Sequence, residues 1–322
     1  TTSDLSRIAS IIKVQATDFQ RSVVGQPTTR SLAVIVTTIT GLPVQGAPVT
    51  FGSIAASQPK FLPPGGTGTP ASTFATTTDA AGRAYVLVIP DTVIGHHAIE
   101  ETRTPFNQLV GLNEIRAATS DGANVIILAE PFAVLGDPDV PAQIRLRSPT
   151  TFSTVTGVDV GVRFPATVVD QYGNALANQS VAWTQSPAGG AFIDSTPLSN
   201  LHVLVRDPAD PAQLPSLTQT SPVNGTVVTS YVTGNTPGTY RLTAQVGTVT
   251  SFYDVIAAPP ASDYILRLAT DLVASYDGVF GTPFAAPIGA QVLKRNAEGV
   301  WRAVKGNEPE YRSVVVRMEI ID

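Results

Sequence analysis

At 322 residues the chain is longer than one ordinary β-sandwich and suits two or three modules of about 100 to 150 residues each. Hydrophobic residues make up 43% and charged residues only 14%, with a formal net charge of −5, so no basic stripe exists to hold nucleic acid or an anionic membrane. Cysteine is absent, which excludes disulfides, thiolate metal sites and thiol nucleophiles but leaves the compartment open.

The chain opens "TTSDLSRIAS" without Met or a signal-like run, which reads either as a processed mature form or as a piece of something longer. Residues 1–10 are expected to be a tail. From there on, runs of four to eight β-formers alternate apolar and polar residues and stop at Gly, Pro, Asn or Asp: "SLAVIVTT", "APVTFGS", "RAYVLVIP" and "NVIILAE" in residues 11–135, then "QSVAWTQ", "TVVTSYVT", "YRLTAQV" and "SFYDVIA" in residues 141–258. This predicts an all-β fold of antiparallel sandwiches, about seven strands in each, with few and short helices. No apolar run reaches the roughly 20 residues of a membrane-spanning helix.

The two segments are copies of one another. A shift of 132 positions aligns Ile12 with Ile144, Val14 with Leu146, Gly25 with Gly157, Val36 with Val168, Gly41 with Gly173 and Phe51 with Trp183. After length changes, Gly82 matches Gly225, Ile115 matches Leu242 and Ala117 matches Ala244. A repeat above 100 residues means duplicated domains, because solenoid units run to about 20 to 50 residues. The copies differ by insertions at 91–110 and 194–217, the expected places for partner contacts. The Pro-containing linkers "GDPDVPAQ" and "AAPPASD" are short and predict stiff spacers, hence a rod.

A third, incomplete copy spans 262–322: Leu266 and Leu268 match Ile144 and Leu146, Gly281 matches Gly157, and Val292 matches Val168. It holds about the first three strands of a sandwich, which would leave edge backbone and the apolar Val314, Val316 and Ile320 uncovered. Two readings stand: truncation, or completion by strands of a neighbouring chain. These residues are the predicted interface, together with Trp301 of the extended turn, for which core or edge packing is the other reading.

The hairpins "VVDQYGNALANQSVAW" and "GLPVQGAPVTF", the turn into a strand "TTDAAGRAYV", and "GTYRLTAQV" resemble the bacterial immunoglobulin-like domains of the invasin and intimin type. Thr38 stands in the first copy where Asp170 keeps the acidic residue of the family's hairpin. The resemblance implies tandem immunoglobulin-like sandwiches on an extracellular or cell-surface stalk, adhesin or surface layer, with protein partners that include copies of itself, the rest of a longer surface protein, or a host ligand.

Candidate chemistry is sparse. "HHAIEE" is the one histidine cluster; on a strand His96 and Glu100 would share one face, with His97 and Glu101 on the other, which splits any zinc ligand set, so a surface loop is expected. His202 is expected to be solvated. Asp207 and Asp210, like Asp137 and Asp139, could offer oxygens to calcium, but lack the spacing of a calcium loop and read as turn and linker residues. No Gly-x-Ser-x-Gly elbow accompanies a histidine, and no catalytic residues are assigned. The expectation is a non-enzymatic structural or adhesive protein without a cofactor, with a self-assembling filament or lattice subunit and a carbohydrate-binding module as alternatives.

Overall fold

The computed structural model describes residues 8–54, 57–96, 98–103, 106–194, 209, 211–260, 264–268, 290–295 and 301–303. Apart from two 3-10 turns, Gln15–Thr17 and Ile94–His96, their regular elements are all strands. The chain divides into two compact units: unit 1 is Thr1–Ala142 with Val169–Ala177, and unit 2 is Gln143–Val168 with Asn178–Asp322.

Unit 1 is a sandwich of two sheets. The first has the order β1 (Ile8–Lys13), β3 (Leu32–Thr38), β7 (Arg83–Ile89), β5 (Lys60–Leu62). The second runs β2 (Gln20–Val23), β11 (Phe132–Asp137), β9 (Phe106–Ser120), β4 (Pro48–Ile54), β6 (Thr73–Thr77), with β8 (Ala98–Arg103) and β10 (Val125–Ile127) added on β9. Period-two alternation turns Leu32, Val34, Val36, Val86 and Val88 inward from one sheet and Val49, Phe51, Ile115, Ala117, Phe132 and Val134 from the other, into one buried core.

Unit 2 repeats that plan. One sheet is β12 (Gln143–Leu146), β14 (Phe164–Val169), β18 (Thr226–Val232), β16 (Ala191–Asp194); the other is β13 (Thr151–Val155), β20 (Val249–Ala258), β19 (Gly238–Val246), β15 (Ser180–Ser186), β17 (Leu217–Thr220). In both sandwiches the first strand breaks in two. Its first half joins one sheet, and its second half lies parallel to the last strand in the other, β2 with β11 and β13 with β20. The first copy adds β8 and β10 to the shared set. Beyond the second sandwich, β21 (Tyr264–Leu268), β22 (Ala290–Arg295) and β23 (Trp301–Ala303) form an antiparallel three-stranded sheet. Leu266 pairs with Val292 in it.

The paired glycines mark equivalent backbone. Gly25 and Gly157 have φ of 73° and 75°, Gly41 and Gly173 of 81° and 89°, and Gly82 and Gly225 of 69° and 71°, the left-handed region that side chains disfavour. Gly82 accepts a hydrogen bond from the Val36 amide at 2.8 Å, and Gly225 one from the Val168 amide at 2.9 Å. A Cβ on Gly82 would lie 2.7 Å from the Val36 carbonyl oxygen and 2.9 Å from Pro43 Cβ. Gly82→Ala is therefore expected to lower stability by about 1–3 kcal/mol, from left-handed strain plus the clash, read as a lower urea midpoint at unchanged slope.

The offset fails at the first strand. Ile144 is buried, whereas Ile12 is 51% exposed and Ile11 takes the inward place. A register shift between Ile8 and Ser10 in the β1–β3 ladder accompanies this, and a slip of one residue moves a strand's apolar set to the other face. The end of β1 is pinned by Lys13, whose Nζ donates to Asp18 Oδ2 at 2.6 Å and to the Pro131 carbonyl at 3.0 Å. Asp18 Oδ1 accepts the Phe19 and Ala133 amides at 2.9 and 2.8 Å, which ties the break in the first strand to the start of β11.

Aromatic packing carries the second core. Trp183 is fully buried, its ring 6.2 Å from Phe192, with Phe192 5.2 Å from Tyr231 and Tyr231 6.1 Å from Tyr240. Tyr240 donates from its hydroxyl to the Thr236 carbonyl at 2.7 Å, the tyrosine corner of immunoglobulin-like sandwiches. Burial pushes the Tyr240 and Tyr253 hydroxyls above the ordinary tyrosine pKa.

Candidate functional site

The metal candidates of the sequence fall partly on described backbone and partly outside it. His96 closes the 3-10 turn Ile94–His96, and Glu100 lies on β8, so the strand alternation that would have put the two on one face does not reach the histidine. Of the stretch 96–101 expected to be a loop, 98–101 belong to β8, which pairs with β9 from Ala98 opposite Gly111 to Arg103 opposite Phe106. In that ladder Glu100 stands opposite Leu109 and Glu101 opposite Gln108. His97, His202, Asp207, Asp210, Gly281, Val314, Val316 and Ile320 lie outside the described residues; Trp301 starts β23. Among the described residues no group of three or more His, Asp or Glu side chains converges on a cation site.

The linker carboxylates have other work. Asp137 accepts both arms of the Arg21 guanidinium, Nε at 3.0 Å and Nη2 closer still, which joins β2 to β11. Asp139 accepts the Val140 amide at 2.8 Å and the Gln171 side-chain amide at 2.9 Å.

The most developed polar constellation is the turn Asp170–Asn174 in unit 1. Asp170 is buried; its Oδ1 accepts the Tyr172 and Asn174 amides, each at 2.9 Å, while Oδ2 accepts the Asp139 amide at 3.0 Å and Asn174 Nδ2 at 2.9 Å. Asn174 then reads the backbone of the segment after β7 with both ends of its carboxamide. Its Oδ1 accepts the Ile94 amide at 3.0 Å and its Nδ2 donates to the Thr92 carbonyl at 2.7 Å. Tyr172 crowds Gly25 so closely that a Cβ there would meet its hydroxyl at 2.6 Å.

The matching turn of the first copy, Thr38–Leu42, has the same frame. The Thr38 amide donates to the Leu42 carbonyl at 2.8 Å and the Gly41 amide to Thr38 at 2.9 Å, as Asp170 does to Asn174 at 3.0 Å and Gly173 to Asp170 at 3.1 Å. Thr38 Oγ1 takes the place of the Asp170 carboxylate, accepting the Leu42 amide at 3.2 Å. The outward residues differ in kind: Ile39 is 90% and Leu42 65% exposed. An Ile and a Leu beside a turn glycine are the signal in the sequence that marks these two side chains.

A second exposed feature lies on β20, where Phe252 and Ile256 flank Asp254 on the outward face. The Arg241 guanidinium lies 3.7 Å from the Phe252 ring centroid and forks onto Asp254 at 2.9 Å through both Nε and Nη2. That hydrogen bonding holds the Asp254 carboxyl below the ordinary aspartate pKa.

No family model matches the chain and no curated protein matches it. Solved structures do. The D0-D1 domain of intimin matches at 15% identity with a TM-score of 0.23, over 78% of this chain and 99% of that one. FdeC, an Escherichia coli adhesin, matches at 13% identity with a TM-score of 0.41, over 80% of this chain and 67% of that one. A β-glycosidase from Bacteroides vulgatus matches at 10% identity with a TM-score of 0.28, over 77% of this chain but 25% of its own.

Proposed function

We propose that the chain is a tandem immunoglobulin-like segment of a bacterial surface protein, an adhesin stalk or surface-layer component, whose role is structural and adhesive rather than enzymatic. The observation that supports this most is the duplication itself: two sandwiches share strand order, the split first strand and the glycine-centred hydrogen bonds of Gly82 and Gly225. Duplicating a whole sandwich adds length and surface without adding an active site. A stiff, extended array is part of the proposal.

A carbohydrate-binding role would want aromatic side chains in a row on an exposed face. On β20, Phe252 shares the outward face with Asp254 and Ile256, not with further aromatics. Immunogold labelling of intact source cells with antibody raised against the chain, combined with shaving by external protease, tests the reading. Labelling and protease loss at the surface are expected; labelling seen only after permeabilisation would overturn it.

A further inference from the structure

Two tripeptides of unit 2 have the form of an acceptor for N-linked sugar, Asn-x-Ser/Thr with x other than Pro: Asn178-Gln179-Ser180 and Asn224-Gly225-Thr226. So short a pattern also arises by chance, and its setting is what gives it meaning. Both fall on tight turns, both asparagines are exposed, and the turns adjoin. The Asn178 amide donates to the Ser221 carbonyl at 2.7 Å and the Gln179 amide to Ser221 Oγ at 2.9 Å, three residues before Asn224.

The first sandwich builds the same corner without them. There the Gly46 amide donates to the Thr78 carbonyl and the Ala47 amide to Thr78 Oγ1, each at 2.9 Å, and the tripeptide is Gly46-Ala47-Pro48. Gly46 has φ of 75° where Asn178 has 60°, so an asparagine holds a left-handed place that glycine fills in the other copy. At the second turn Asn224 stands where Ala81 precedes Gly82.

Asparagines with a structural role in this chain have their side-chain amides engaged: Asn113 Nδ2 donates to the Gly111 and Val134 carbonyls, Asn124 Nδ2 to Asp121, and Asn174 Nδ2 to the Thr92 carbonyl. Among the described residues the Nδ2 groups of Asn178 and Asn224 have no such acceptor. Asn224 Oδ1 instead accepts the Thr226 amide at 3.0 Å, which draws electron density from the carboxamide and eases loss of an Nδ2 proton. Asn-Gly pairs tend to cyclise through the glycine nitrogen, but the Gly225 amide is held by the Pro222 carbonyl at 2.8 Å, so the acceptor is preserved.

We propose that Asn178 and Asn224 are paired N-glycosylation sites, modified by a transferase that uses a glycosyl phosphate donor. Nδ2 bonds to the anomeric carbon as that carbon's bond to a phosphate oxygen breaks; the Nδ2 proton passes to a base of the transferase, and the phosphate leaves with the bonding pair. Two sugars on adjoining turns add hydrated bulk at one corner of a sandwich in a chain with only 14% charged residues. The inference rests on reading the chain as a surface segment.

Peptide mass spectrometry of the whole chain purified from source cells tests it. The peptides that contain Asn178 and Asn224 are each expected to be heavier than their sequence by whole sugar masses, with fragment ions placing the increment on the asparagine. A single sugar marks a nucleotide-sugar donor, and a fixed chain of several marks a lipid-linked oligosaccharide. Asn178→Gln and Asn224→Gln should each remove the increment from their own peptide, as should Ser180→Ala and Thr226→Val, which keep the asparagine. Unmodified mass at either peptide overturns the proposal, as does an increment that survives the asparagine substitution. Surface labelling does not depend on the sugar, so unmodified peptides from protein that labels at the surface would overturn this inference and leave that reading standing.

Discussion

Trp183→Ala is expected to destabilise unit 2 by about 3–5 kcal/mol, the range for deleting a fully buried large aromatic that neighbours cannot collapse to fill. The indole is completely inaccessible, packs on Phe192, and donates from Nε1 to Gln219 Oε1 at 3.0 Å. Gln219 is itself buried, and its Nε2 reaches Asp194 and the Val228 carbonyl at 2.7 and 2.8 Å. Losing the indole therefore opens a cavity and removes a donor from a buried amide, two costs that add. Trp183→Phe, which keeps most of the volume, should recover the larger part. Chemical denaturation followed by far-ultraviolet circular dichroism measures both; a loss below about 1 kcal/mol for the alanine variant would mean that the aromatic chain is not the core of the second sandwich.

Asp18→Ala is expected to cost unit 1 about 3–5 kcal/mol, comparable to removing one partner of a buried ion pair. The Asp18 side chain is 2% exposed and that of Lys13 10% exposed, so the ammonium left behind keeps only the Pro131 carbonyl and the distant, solvated Glu130, 3.7 Å away. The amides of Phe19 and Ala133 lose their acceptor as well. Asp18→Asn preserves an acceptor for both amides and should cost less. Equal losses for the two variants would show that charge, not the pair of amide bonds, carries the interaction; denaturation midpoints decide it.

Much of this architecture is legible in the sequence because its signals are local. Left-handed turns demand glycine, so Gly25, Gly41 and Gly82 recur as Gly157, Gly173 and Gly225, and inward positions demand bulk, so Phe51 recurs as Trp183. What escapes is whatever depends on registration between distant segments. Ile12 aligns with Ile144 in letters, yet the irregular ladder of β1 hands the inward place to Ile11. The insertion at 91–110 lacks clean alternation, so its hairpin is invisible until β9 is seen to run on past β11 and pair with β8. The side-chain bonds that tie Asp170 to Asp139 and Asn174 to Thr92 and Ile94 are encoded by no pattern of hydrophobicity. For the candidate site, residue type is a poor guide, since the exposed turn Thr38–Leu42 is marked by two aliphatic side chains, Ile39 and Leu42.

The split first strand gives each sandwich a way to bear tension. Because β2 runs parallel to β11 and β13 parallel to β20, the start of one strand and the end of its partner point to opposite ends of the sandwich. A pull transmitted along the polypeptide slides these partners past one another, loading their whole ladder at once, whereas an antiparallel terminal pair would peel open one bond at a time. Each sandwich thus carries a shear clasp between its entry and its exit, and the Arg21–Asp137 fork spans that clasp in the first of them.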